Sequence, residues 1–563
     1  MKVVIVGGVA GGATAAARLR RLDETAEIVV FERSGFVSYA NCGLPYYIGG
    51  VIEDQAELTL QTPESFYQRF RVEMKVRHEV TAIDRTAKTV TVRNLDTGEV
   101  FTESYDKLLL SPGAKPTQPA LPGVGLDRLF TLRTVEDTLR IHRFVEEHHP
   151  RSVVLAGGGF IGLELAENLR DRGLEVTIVQ RPKQLMTPFD ADMAALIHRE
   201  VRAHGVRLAL GHTVEGFAEA DGGVQVLLKG EQPLQADMVI LAIGVTPDSR
   251  LAADAGLELG LKGSILVNDR MQTSDPDIYA VGDVVQVNHF VTGQPALIAL
   301  AGPANKQGRI AADNIAGGDS RYTGSQGSSV LKIFSLTAAA TGLNEGAARR
   351  AGFDTEAVVL SPMNHAGYYP GGRVMTMKVL FEKGTGKVLG AQIVGSDGVD
   401  KRIDVLATAI RAGMTAADLT ELDLAYAPPY SSAKDPVNMA GYMMENLLTG
   451  KVRQFRLEEL AALPRDGSVT LLDTRTPGEY RRGHADGFIN LPLDELRERL
   501  GELDPAKPVY VMCQSGLRSY LACRILAQHG FTCYNFAGGY RFYEAVTTDR
   551  CQSDQAFACG MDK

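Results

Sequence analysis

The sequence predicts an α/β protein of several domains, and three observations lead to that prediction. Two segments, 2–33 and 152–181, each read as an apolar strand, a glycine-rich turn, an amphipathic helix and a second apolar strand. Further strands and a helix between about 322 and 445 indicate an α+β domain. Residues 455–545 then form a last α/β unit. At about 150 residues per domain, 563 residues correspond to three or four domains.

Composition and charge are those of an ordinary globular protein, with 45% hydrophobic and 23% charged residues. The formal net charge of −9 argues against a broad nucleic-acid-binding surface. No apolar run reaches the roughly 18 residues of a membrane-spanning helix, and the opening MKVVIVGG lacks the layout of a signal peptide. We therefore expect a cytoplasmic protein with no nucleic-acid partner and no membrane contact.

The six cysteines stand at positions 42, 513, 523, 533, 551 and 559. They are too few for a disulfide scaffold in a chain of this length, and none belongs to a CxxC pair, so we expect no metal site and a reducing compartment. Cys523 and Cys533 are expected in the core, on a helix and a strand. Cys551 and Cys559 fall in an expected solvated tail, 551–563, where a resolving thiol remains an alternative.

The first glycine-rich turn, residues 7–12, is typical of a dinucleotide-binding unit, although Val9 replaces its middle glycine. A pyrophosphate can still bind there, because its partners are main-chain N–H groups and the helix dipole. Glu32 ends the following strand, where an acid accepts hydrogen bonds from a ribose. The turn therefore predicts a nucleotide site.

The second glycine-rich turn, residues 157–162, carries the complete set Gly157, Gly159 and Gly162. Its second strand ends in Gln180 and Arg181 rather than in an acid. The missing carboxylate removes one preference for a free 2′-hydroxyl, and an arginine favours a 2′-phosphate. The choice between NADH and NADPH therefore stays open.

The ordered motifs GGVAGG, SPGA, GGGFIGLELAE and IYAVGDVV resemble those of the pyridine nucleotide–disulfide oxidoreductase superfamily over residues 1 to about 445. That resemblance implies FAD on the first unit, NAD(P)H on the second, and a homodimer formed through the third domain. It implies FAD contacts at Gly7, Gly8, Ala10, Gly11, Gly12, Glu32, Arg33, Asn41, Val80, Ser111, Gly113, Asp283 and Ala301, with Asp283 near the ribityl chain. The implied NAD(P)H contacts are Gly157, Gly159, Phe160, Ile161, Gly162, Glu164, Gln180 and Gly244.

The segment SYANCGLPYYIGG, residues 38–50, holds the candidate redox centre Cys42. A dithiol of the CxxxxC kind is excluded, because the residue five after Cys42 is Tyr47 and the residue five before it is Val37. A single thiol accepts electrons only by binding an external sulfur or by cycling through a sulfenic acid.

Single-cysteine NADH oxidases and peroxidases use the sulfenic acid and place a histidine inside the first turn, where this chain has Ala10. SYANCGLPYY instead resembles coenzyme A-disulfide reductases. HAGYYPG and AYAPPYSSAKDPVNMAG resemble the segments in which that family presents two tyrosines from the partner subunit, here Tyr368 and Tyr426. Each phenol is expected to donate a proton or hydrogen bond to a leaving thiolate, with interface packing as the alternative.

Coenzyme A phosphates need cations, which the first helix and the segment FYQRFRVEMKV supply. By resemblance, Arg21, Ser38 and Asn41 match coenzyme A contacts, beside Cys42 itself. A family lysine aligns with Phe70, so Arg71 has to take its place. For these arginines, and for their neighbours Arg18, Arg20 and Arg69, a solvated helix face is the competing interpretation.

The C-terminal unit resembles a rhodanese domain through LLDTRTPGEYRRGHADGFINLP and VYVMCQSGLRSYLACRIL. A strand delivers Cys513 into the loop CQSGLR, and a helix is expected from near Ser519. Loop N–H groups stabilise a thiolate or persulfide there, while Arg518 adds positive charge. A phosphatase loop is the alternative, although such loops on this fold are typically one residue longer.

The predicted fold is thus two Rossmann-like dinucleotide-binding domains, an α+β dimerisation domain and a C-terminal α/β rhodanese domain. The expected bounds are 1–111 with 237–321 for FAD, 112–236 for NAD(P)H, 322–447 for dimerisation, 455–550 for rhodanese and 551–563 for the tail. The predicted function is reduction of coenzyme A persulfide, polysulfide or disulfide at Cys42, with Cys513 handling sulfane sulfur. An NADH oxidase or peroxidase, and a sulfurtransferase with a regulatory flavin half, are the alternatives.

Overall fold

The structure is a computed structural model that describes residues 1–555 of the chain. It divides into two compact units. The first contains residues 1–183 and 205–327, and the second contains residues 184–204 and the chain from 328 onward. Each unit combines helices with sheets, which confirms the mixed α/β class.

The first unit is built on a five-stranded parallel sheet that holds the first glycine-rich turn. The strands Lys2–Val6 and Glu27–Glu32 are rich in β-branched residues, and these two strands and Lys107–Leu110 are buried almost throughout, as expected for a parallel sheet covered on both faces. In spatial order the strands are Ile278–Ala280, Lys107–Leu110, Lys2–Val6, Glu27–Glu32 and Glu73–Val76.

A second five-stranded parallel sheet in the same unit repeats this arrangement around the second glycine-rich turn. In spatial order its strands are Arg207–Leu210, Glu175–Gln180, Ser152–Ala156, Met238–Leu241 and Leu129–Thr131. In each sheet, the central strand leads into the glycine-rich turn and pairs with the strand that follows the next helix. The two predicted βαβ units are therefore confirmed.

Smaller sheets and seven helices complete the described part of the first unit. The helices are Ala10–Leu22, Leu44–Gly49, Pro63–Phe70, Val135–His148, Phe160–Asp171, Arg250–Asp254 and Ala301–Ile315. The smaller sheets comprise His78–Asp84, Thr89–Asn94 and Val100–Ser104; Val214–Ala220, Gly223–Leu228 and Leu234–Ala236; Ala114–Pro116 and Val245–Pro247; and Ile265–Leu266, Val285–Asn288 and Pro295–Ala296. Short 3₁₀ turns span Asn41–Gly43, Gln55–Leu58 and Leu261–Gly263.

The second unit contains an antiparallel sheet followed by a parallel one. The antiparallel strands, in spatial order, are Ser329–Ile333, Leu336–Gly342, Val388–Gly395, Thr376–Glu382 and Thr355–Leu360. The parallel strands are Gln454–Phe455, Cys533–Phe536, Val509–Met512, Thr470–Asp473 and Ile489–Asn490. These sheets are the predicted α+β and C-terminal α/β domains.

Helices of the second unit cover both sheets. They are Ala191–Ala203, Glu345–Arg350, Val399–Ala412, Ala416–Glu421, Pro436–Leu448, Leu457–Ala462, Pro477–Arg482, Leu517–Gln528 and Gly539–Gln555, with 3₁₀ turns at Leu493–Glu495 and Leu500–Glu502. The last helix continues to Gln555, so it includes part of the stretch expected as a tail. Asp549 anchors it, because this carboxylate binds His198 Nδ1 at 2.8 Å and also pairs with Arg202. Within residues 1–555, no helix is long and apolar enough to cross a membrane.

A buried lysine stabilises the second unit. Lys378 is 3% exposed, and its Nζ lies 3.1 Å from Asp190, 2.8 Å from Asp192 and 3.0 Å from Glu345. Burial alone would lower the pKa of Lys378, but the three carboxylates raise it. The ammonium group therefore joins the segment 184–204 to the antiparallel sheet.

Substitution Lys378→Met should destabilise the folded chain by about 3–5 kcal/mol, because it removes the buried cation from Asp190 and Asp192 and leaves Glu345 with Arg456 alone. The measurement is the urea midpoint followed by circular dichroism. Lys383→Met is the matched control, since Lys383 and Asp354 form an exposed pair at 3.3 Å. That variant should lose at most about 1 kcal/mol. Equal midpoints for the two variants would contradict the structural role of Lys378.

Candidate active site

The first glycine-rich turn joins the central strand Lys2–Val6 to the helix Ala10–Leu22. Gly7 has φ of +97° and donates its N–H to the carbonyl of Phe31 at 2.8 Å. Gly12 is required because a Cβ there would collide with the Gly7 carbonyl oxygen. Glu32 accepts from the Gly8 N–H at 2.9 Å, so the carboxylate expected at a ribose also braces the turn.

Other predicted FAD residues collect at the same edge of the sheet, where the parallel strands end. The Ser111 N–H donates to Val6 at 2.7 Å, and the Ser111 hydroxyl faces Gly11. Asp283 follows the strand Ile278–Ala280, and its carboxylate accepts from Arg133 Nη2 at 2.7 Å. Arg133 is a residue that sequence reasoning missed.

The remaining predicted FAD residues have differing environments. Ala301 begins the helix Ala301–Ile315, which packs so closely on the first helix that a Cβ at Gly308 would collide with the Gly11 carbonyl. Arg33 pairs with Asp248 at 2.8 Å, and Gly113 accepts from the main chain of the same aspartate. Val80 is buried in the hydrophobic core, on a strand where it pairs with Val92.

The second glycine-rich turn reproduces the first in detail. Gly157 has φ of +120° and donates to Val179 at 2.8 Å, and a Cβ at Gly162 would collide with the Gly157 carbonyl. Gln180 accepts from the Gly158 N–H at 3.0 Å, as Glu32 does from Gly8. The amide at the strand end thus keeps the bracing role of the acid.

Predicted nucleotide residues around this turn are also assembled. Phe160 and Ile161 begin the helix Phe160–Asp171, and Gly244, with φ of +109°, accepts from Thr117 at 2.9 Å. Glu164 lies one turn further along the helix. Burial, and then the charge of Glu167, raise the pKa of Glu164 to about 7.

Cys42 lies in the loop 38–43, which we call the cysteine loop, between the first sheet and the helix Leu44–Gly49. The Ser38 N–H donates to the Gly8 carbonyl at 2.9 Å, and Ala40 donates to Leu58 at 2.7 Å. Ser38 adopts φ of +46°, an uncommon conformation for a residue with a side chain. These contacts fix the loop beside the first glycine-rich turn.

Burial and nearby charges raise the pKa of the Cys42 thiol. Cys42 as a whole residue is exposed to solvent. The protein atoms around its thiol nevertheless exclude water, and this desolvation raises the pKa of Cys42. The charges of Glu164 and Asp283 raise it further, and Arg133 opposes them. Cys42 is also the only cysteine of the first unit in the sequence.

The arginines expected at a coenzyme A site divide into different roles. Arg20 is 7% exposed and donates to the carbonyls of Phe70 at 2.8 Å and Arg71 at 3.0 Å, so it is a structural clamp rather than a free cation. Arg18 pairs with Asp313 at 2.7 Å. The Arg20 clamp brings together the chain segments that carry Arg21 and Arg71.

Arg21 and Arg71 remain available at the surface. Arg21 is exposed at the end of the first helix. Arg71 is exposed at the end of the helix Pro63–Phe70, and its guanidinium carbon lies 5.3 Å from the Tyr67 ring.

Tyr368 and Tyr426 meet in the second unit, although 57 residues separate them in the chain. Their hydroxyls are 2.8 Å apart, and this hydrogen bond raises the pKa of Tyr368. Tyr368 is 76% exposed and Tyr426 is 46% exposed. Two exposed phenols that are hydrogen-bonded to each other can donate a proton or a hydrogen bond to a group that approaches them.

Cys513 follows the strand Val509–Met512 and is fully buried. Its Sγ lies 3.1 Å from the Gly516 N–H and 3.2 Å from the Ser519 hydroxyl, which also lies 3.1 Å from the Gly516 carbonyl. Gly516 has φ of +96°, which lets the loop close. The helix begins at Leu517, two residues before the predicted start.

Arg518 is bound to a carboxylate rather than to the thiol. Its two terminal nitrogens each donate to Glu479 at 2.7 Å, and the guanidinium lowers the pKa of Glu479 to about 2. Arg475 is buried against Asp473 and reaches Gln514 at 3.3 Å. The loop that carries Cys513 is therefore held by two arginines, each of which is paired with a carboxylate.

The other cysteines match their expected settings where the structure describes them. Cys523 and Cys533 are buried on the helix Leu517–Gln528 and the strand Cys533–Phe536, which confirms the core prediction. Cys551 is exposed on the last helix, and Cys559 lies outside the described residues. Between residues 1 and 555, no group of three or more His, Cys, Asp or Glu side chains is arranged to hold a metal ion.

Comparison with known proteins identifies the chain's family. Residues 1–308 match Pyridine nucleotide-disulphide oxidoreductase, residues 328–436 match the dimerisation domain of that family, and residues 456–545 match Rhodanese-like domain. The chain is a pyridine nucleotide–disulphide oxidoreductase.

Relatives of this oxidoreductase cover most of its length. Coenzyme A disulfide reductase of Staphylococcus aureus strain JH9 is 39% identical over 442 residues, which is 78% of this chain and 99% of that protein. Reduced Bacillus anthracis CoADR-RHD is 49% identical with a TM-score of 0.95, over 98% of each chain. A NAD-dependent persulfide reductase from A. fulgidus is 38% identical with a TM-score of 0.91, over 96% of this chain and 100% of that one.

These comparisons confirm the resemblance and all four predicted domain types. The chain is an oxidoreductase of this family with a C-terminal rhodanese-like domain. Its family implies FAD and NAD(P)H as cofactors, and its dimerisation domain indicates a homodimer.

The two glycine-rich turns of the oxidoreductase fit these cofactors. Neither the helix Ala10–Leu22 nor the helix Phe160–Asp171 has a side-chain cap within the described residues, which leaves their N-terminal N–H groups for a pyrophosphate. A Cβ at Gly159 would meet no atom within 4 Å, so the second turn faces open space.

Substitution Glu164→Gln should lower the pKa of the Cys42 thiol, because it removes a carboxylate that raises it. Since Glu164 itself titrates near pH 7, it is charged in the alkaline range where Cys42 loses its proton. The pH profile of iodoacetamide labelling, mapped on the peptide that contains Cys42, should therefore move to lower pH.

Glu136→Gln is the control for that labelling experiment. Glu136 is an exposed carboxylate that acts on Tyr39, and it does not contribute to the pKa of Cys42. Superimposed profiles for wild type and Glu164→Gln would disprove the electrostatic link.

Substitution Ser519→Ala should slow sulfur loading of Cys513 from inorganic polysulfide. The loss of one hydrogen-bond donor to the sulfur, at about 1 kcal/mol, predicts a rate about fivefold lower. Intact-mass measurement over time reports the added sulfur. Ser515→Ala, in the same loop, is the control, and equal rates in the two variants would refute a role for Ser519.

Proposed function

We propose that this oxidoreductase reduces coenzyme A persulfide or polysulfide in preference to coenzyme A disulfide, through Cys42 as its single redox thiol. The observation that carries the proposal is the placement of an unpaired cysteine on a loop hydrogen-bonded to the first glycine-rich turn. A thiol without a partner in its own unit either takes a second sulfur from outside or cycles through a sulfenic acid, and Ala10 in place of a turn histidine favours the external sulfur.

The cofactor residues hold their ligands in the following way. Main-chain N–H groups of the two glycine-rich turns bind the pyrophosphates, while Glu32 and Gln180 keep the turns in shape. When bound, FAD supplies two-electron transfer between NAD(P)H and sulfur. The choice between NADH and NADPH depends on Gln180 and the exposed Arg181. Activity is therefore to be compared with each of these two electron donors.

At the substrate site, the thiolate of Cys42 attacks a sulfur of the substrate. A new S–S bond forms to Cys42, the old S–S bond breaks, and the departing thiolate takes up a proton. Tyr368 and Tyr426 of the partner subunit supply that proton or stabilise the thiolate by hydrogen bonds. Reduction of the new bond then restores Cys42.

Arg21, Ser38, Asn41 and Arg71 are proposed to bind coenzyme A. Two of them are exposed arginines that the Arg20 clamp brings together, which provides charge for phosphate groups. Ser38 and Asn41 flank Cys42 on the cysteine loop. The arrangement supports a ligand whose thiol end lies at Cys42.

The rhodanese domain is proposed to carry sulfane sulfur on Cys513. Donors from Gly516 and Ser519 already point at its Sγ, and they would stabilise a persulfide anion. Because this second sulfur centre handles persulfides, we infer that persulfide is preferred over disulfide.

Anaerobic assays with NADH, and then NADPH, should show faster turnover of coenzyme A persulfide than of coenzyme A disulfide. Cys42→Ser should lower either activity by more than about a hundredfold, because it removes the nucleophile. Cys513→Ala should slow delivery of sulfur from a protein-bound or polysulfide donor, but it should leave reduction of free coenzyme A persulfide within about twofold of wild type.

Each rival function predicts a different pattern in the same assays. Rapid oxygen or peroxide consumption that is lost in Cys42→Ser would favour an oxidase or peroxidase. Loss of the main activity in Cys513→Ala with retention in Cys42→Ser would favour a sulfurtransferase. Turnover of the persulfide no faster than the disulfide would overturn the substrate preference.

A further inference from the structure

The two segments that carry the exposed tyrosines are joined at their bases. We call residues 364–373 and 425–435 the tyrosine loops. The Ala366 N–H in one loop donates to the Ser431 carbonyl in the other at 3.0 Å. Their tips meet where the hydroxyls of Tyr368 and Tyr426 lie 2.8 Å apart. The phenol pair therefore depends on how the two loops are held.

A buried arginine lies beneath this junction. Arg402 is 1% exposed, on the first turn of the helix Val399–Ala412. Its Nη2 lies 3.0 Å from the Ser431 hydroxyl, 3.0 Å from the Asp435 carboxylate and 3.3 Å from the Tyr430 carbonyl. One guanidinium group thus binds three successive parts of the same tyrosine loop.

The adjacent lysine holds the other end of that loop. Lys401 Nζ lies 3.3 Å from the Ala425 carbonyl, immediately before Tyr426, and 3.7 Å from Asp435. Together, Lys401 and Arg402 fix the chain on both sides of Tyr426.

Asp435 completes the charge balance of this cluster. Burial alone would raise its pKa, but hydrogen bonds from Val437 and Ser431 and the charge of Arg402 outweigh burial and lower it. The Ser431 hydroxyl donates to the same carboxylate at 2.7 Å. Asp435 therefore stays ionised and keeps its pairing with Arg402.

A buried cluster of charges such as this one adds little to the free energy of unfolding. The Nε of Arg402 is buried without a hydrogen-bond partner among the described residues. Buried ion pairs contribute less to stability than well-packed apolar residues of similar volume, but they impose a specific geometry. The cluster is thus better suited to fixing a conformation than to adding stability.

We propose that Arg402 is a positioning residue that keeps the two tyrosine loops in register, so that the hydroxyls of Tyr368 and Tyr426 stay paired. The proposal deepens the proposed function and rests on it for the catalytic consequence. The pairing of the phenols can be measured separately, which allows the two to fail independently.

The first test measures the phenol pair without turnover. Ultraviolet difference titration of wild type against Tyr368→Phe isolates the ionisation of Tyr368. Because the Tyr426 hydrogen bond raises the pKa of Tyr368, Tyr426→Phe should move that titration to lower pH. Arg402→Lys, which keeps the charge but loses the forked geometry, should cause the same shift. Lys378→Arg, a matched swap of a buried cation in the same unit, should cause none.

The second test is a double-mutant cycle on kcat with coenzyme A persulfide and NADH. Arg402→Lys should lower kcat about tenfold, since small displacements of reacting groups are costly, with KM within about twofold. In the Tyr368→Phe and Tyr426→Phe double variant, the same substitution should change kcat by less than about twofold.

The outcomes separate the two proposals. A tenfold effect of Arg402→Lys that persists in the double variant, or an unshifted phenol titration, would overturn the positioning role. If Arg402→Lys shifts the phenol titration but Tyr368→Phe and Tyr426→Phe leave kcat unchanged, the positioning of the pair is upheld and its catalytic use is refuted.

Discussion

The arrangement of the first unit depends on the main chain of one residue, Gly8. Its N–H is bound by Glu32 and its carbonyl by the N–H of Ser38, at 2.9 Å in each case. The glycine-rich turn and the cysteine loop therefore share a single anchoring point. These two hydrogen bonds hold the nucleotide turn and the loop of the lone redox cysteine in fixed register.

In the second unit, buried cations hold loops in place and do not themselves bind the reactive side chains. Arg402 and Arg475 are both almost fully buried and are paired with carboxylates. The phenols of Tyr368 and Tyr426 remain exposed, and Cys513 keeps its thiol hydrogen-bonded at the end of a strand. Desolvated charges are costly, so their presence beneath loops indicates that loop geometry is what these positions secure.

Local sequence patterns predicted the two βαβ units and their glycine-rich turns, because strand periodicity and turn glycines are local properties. The identity of the four domains came from the resemblance of their ordered motifs to known families. Contacts between distant segments were not predictable in this way. Arg20 appeared to be one of several free cations, yet it binds main-chain carbonyls about 50 residues away. Arg133 and Arg402 belong to no local motif, and their partners lie far along the chain or in another loop. The final helix runs to Gln555, past the expected domain end, and its Asp549 pairs with His198 and Arg202 in a long-range interaction.

The central claim is that Cys42 exchanges sulfur with coenzyme A, and the most direct measurement is the intact mass of the purified chain before and after reduction. The account predicts an adduct with the mass of coenzyme A, or of added sulfur, that maps to the Cys42 peptide, disappears on reduction and is absent from Cys42→Ser. An oxygen adduct on Cys42, with no coenzyme A or sulfur after exposure to coenzyme A persulfide, would contradict it.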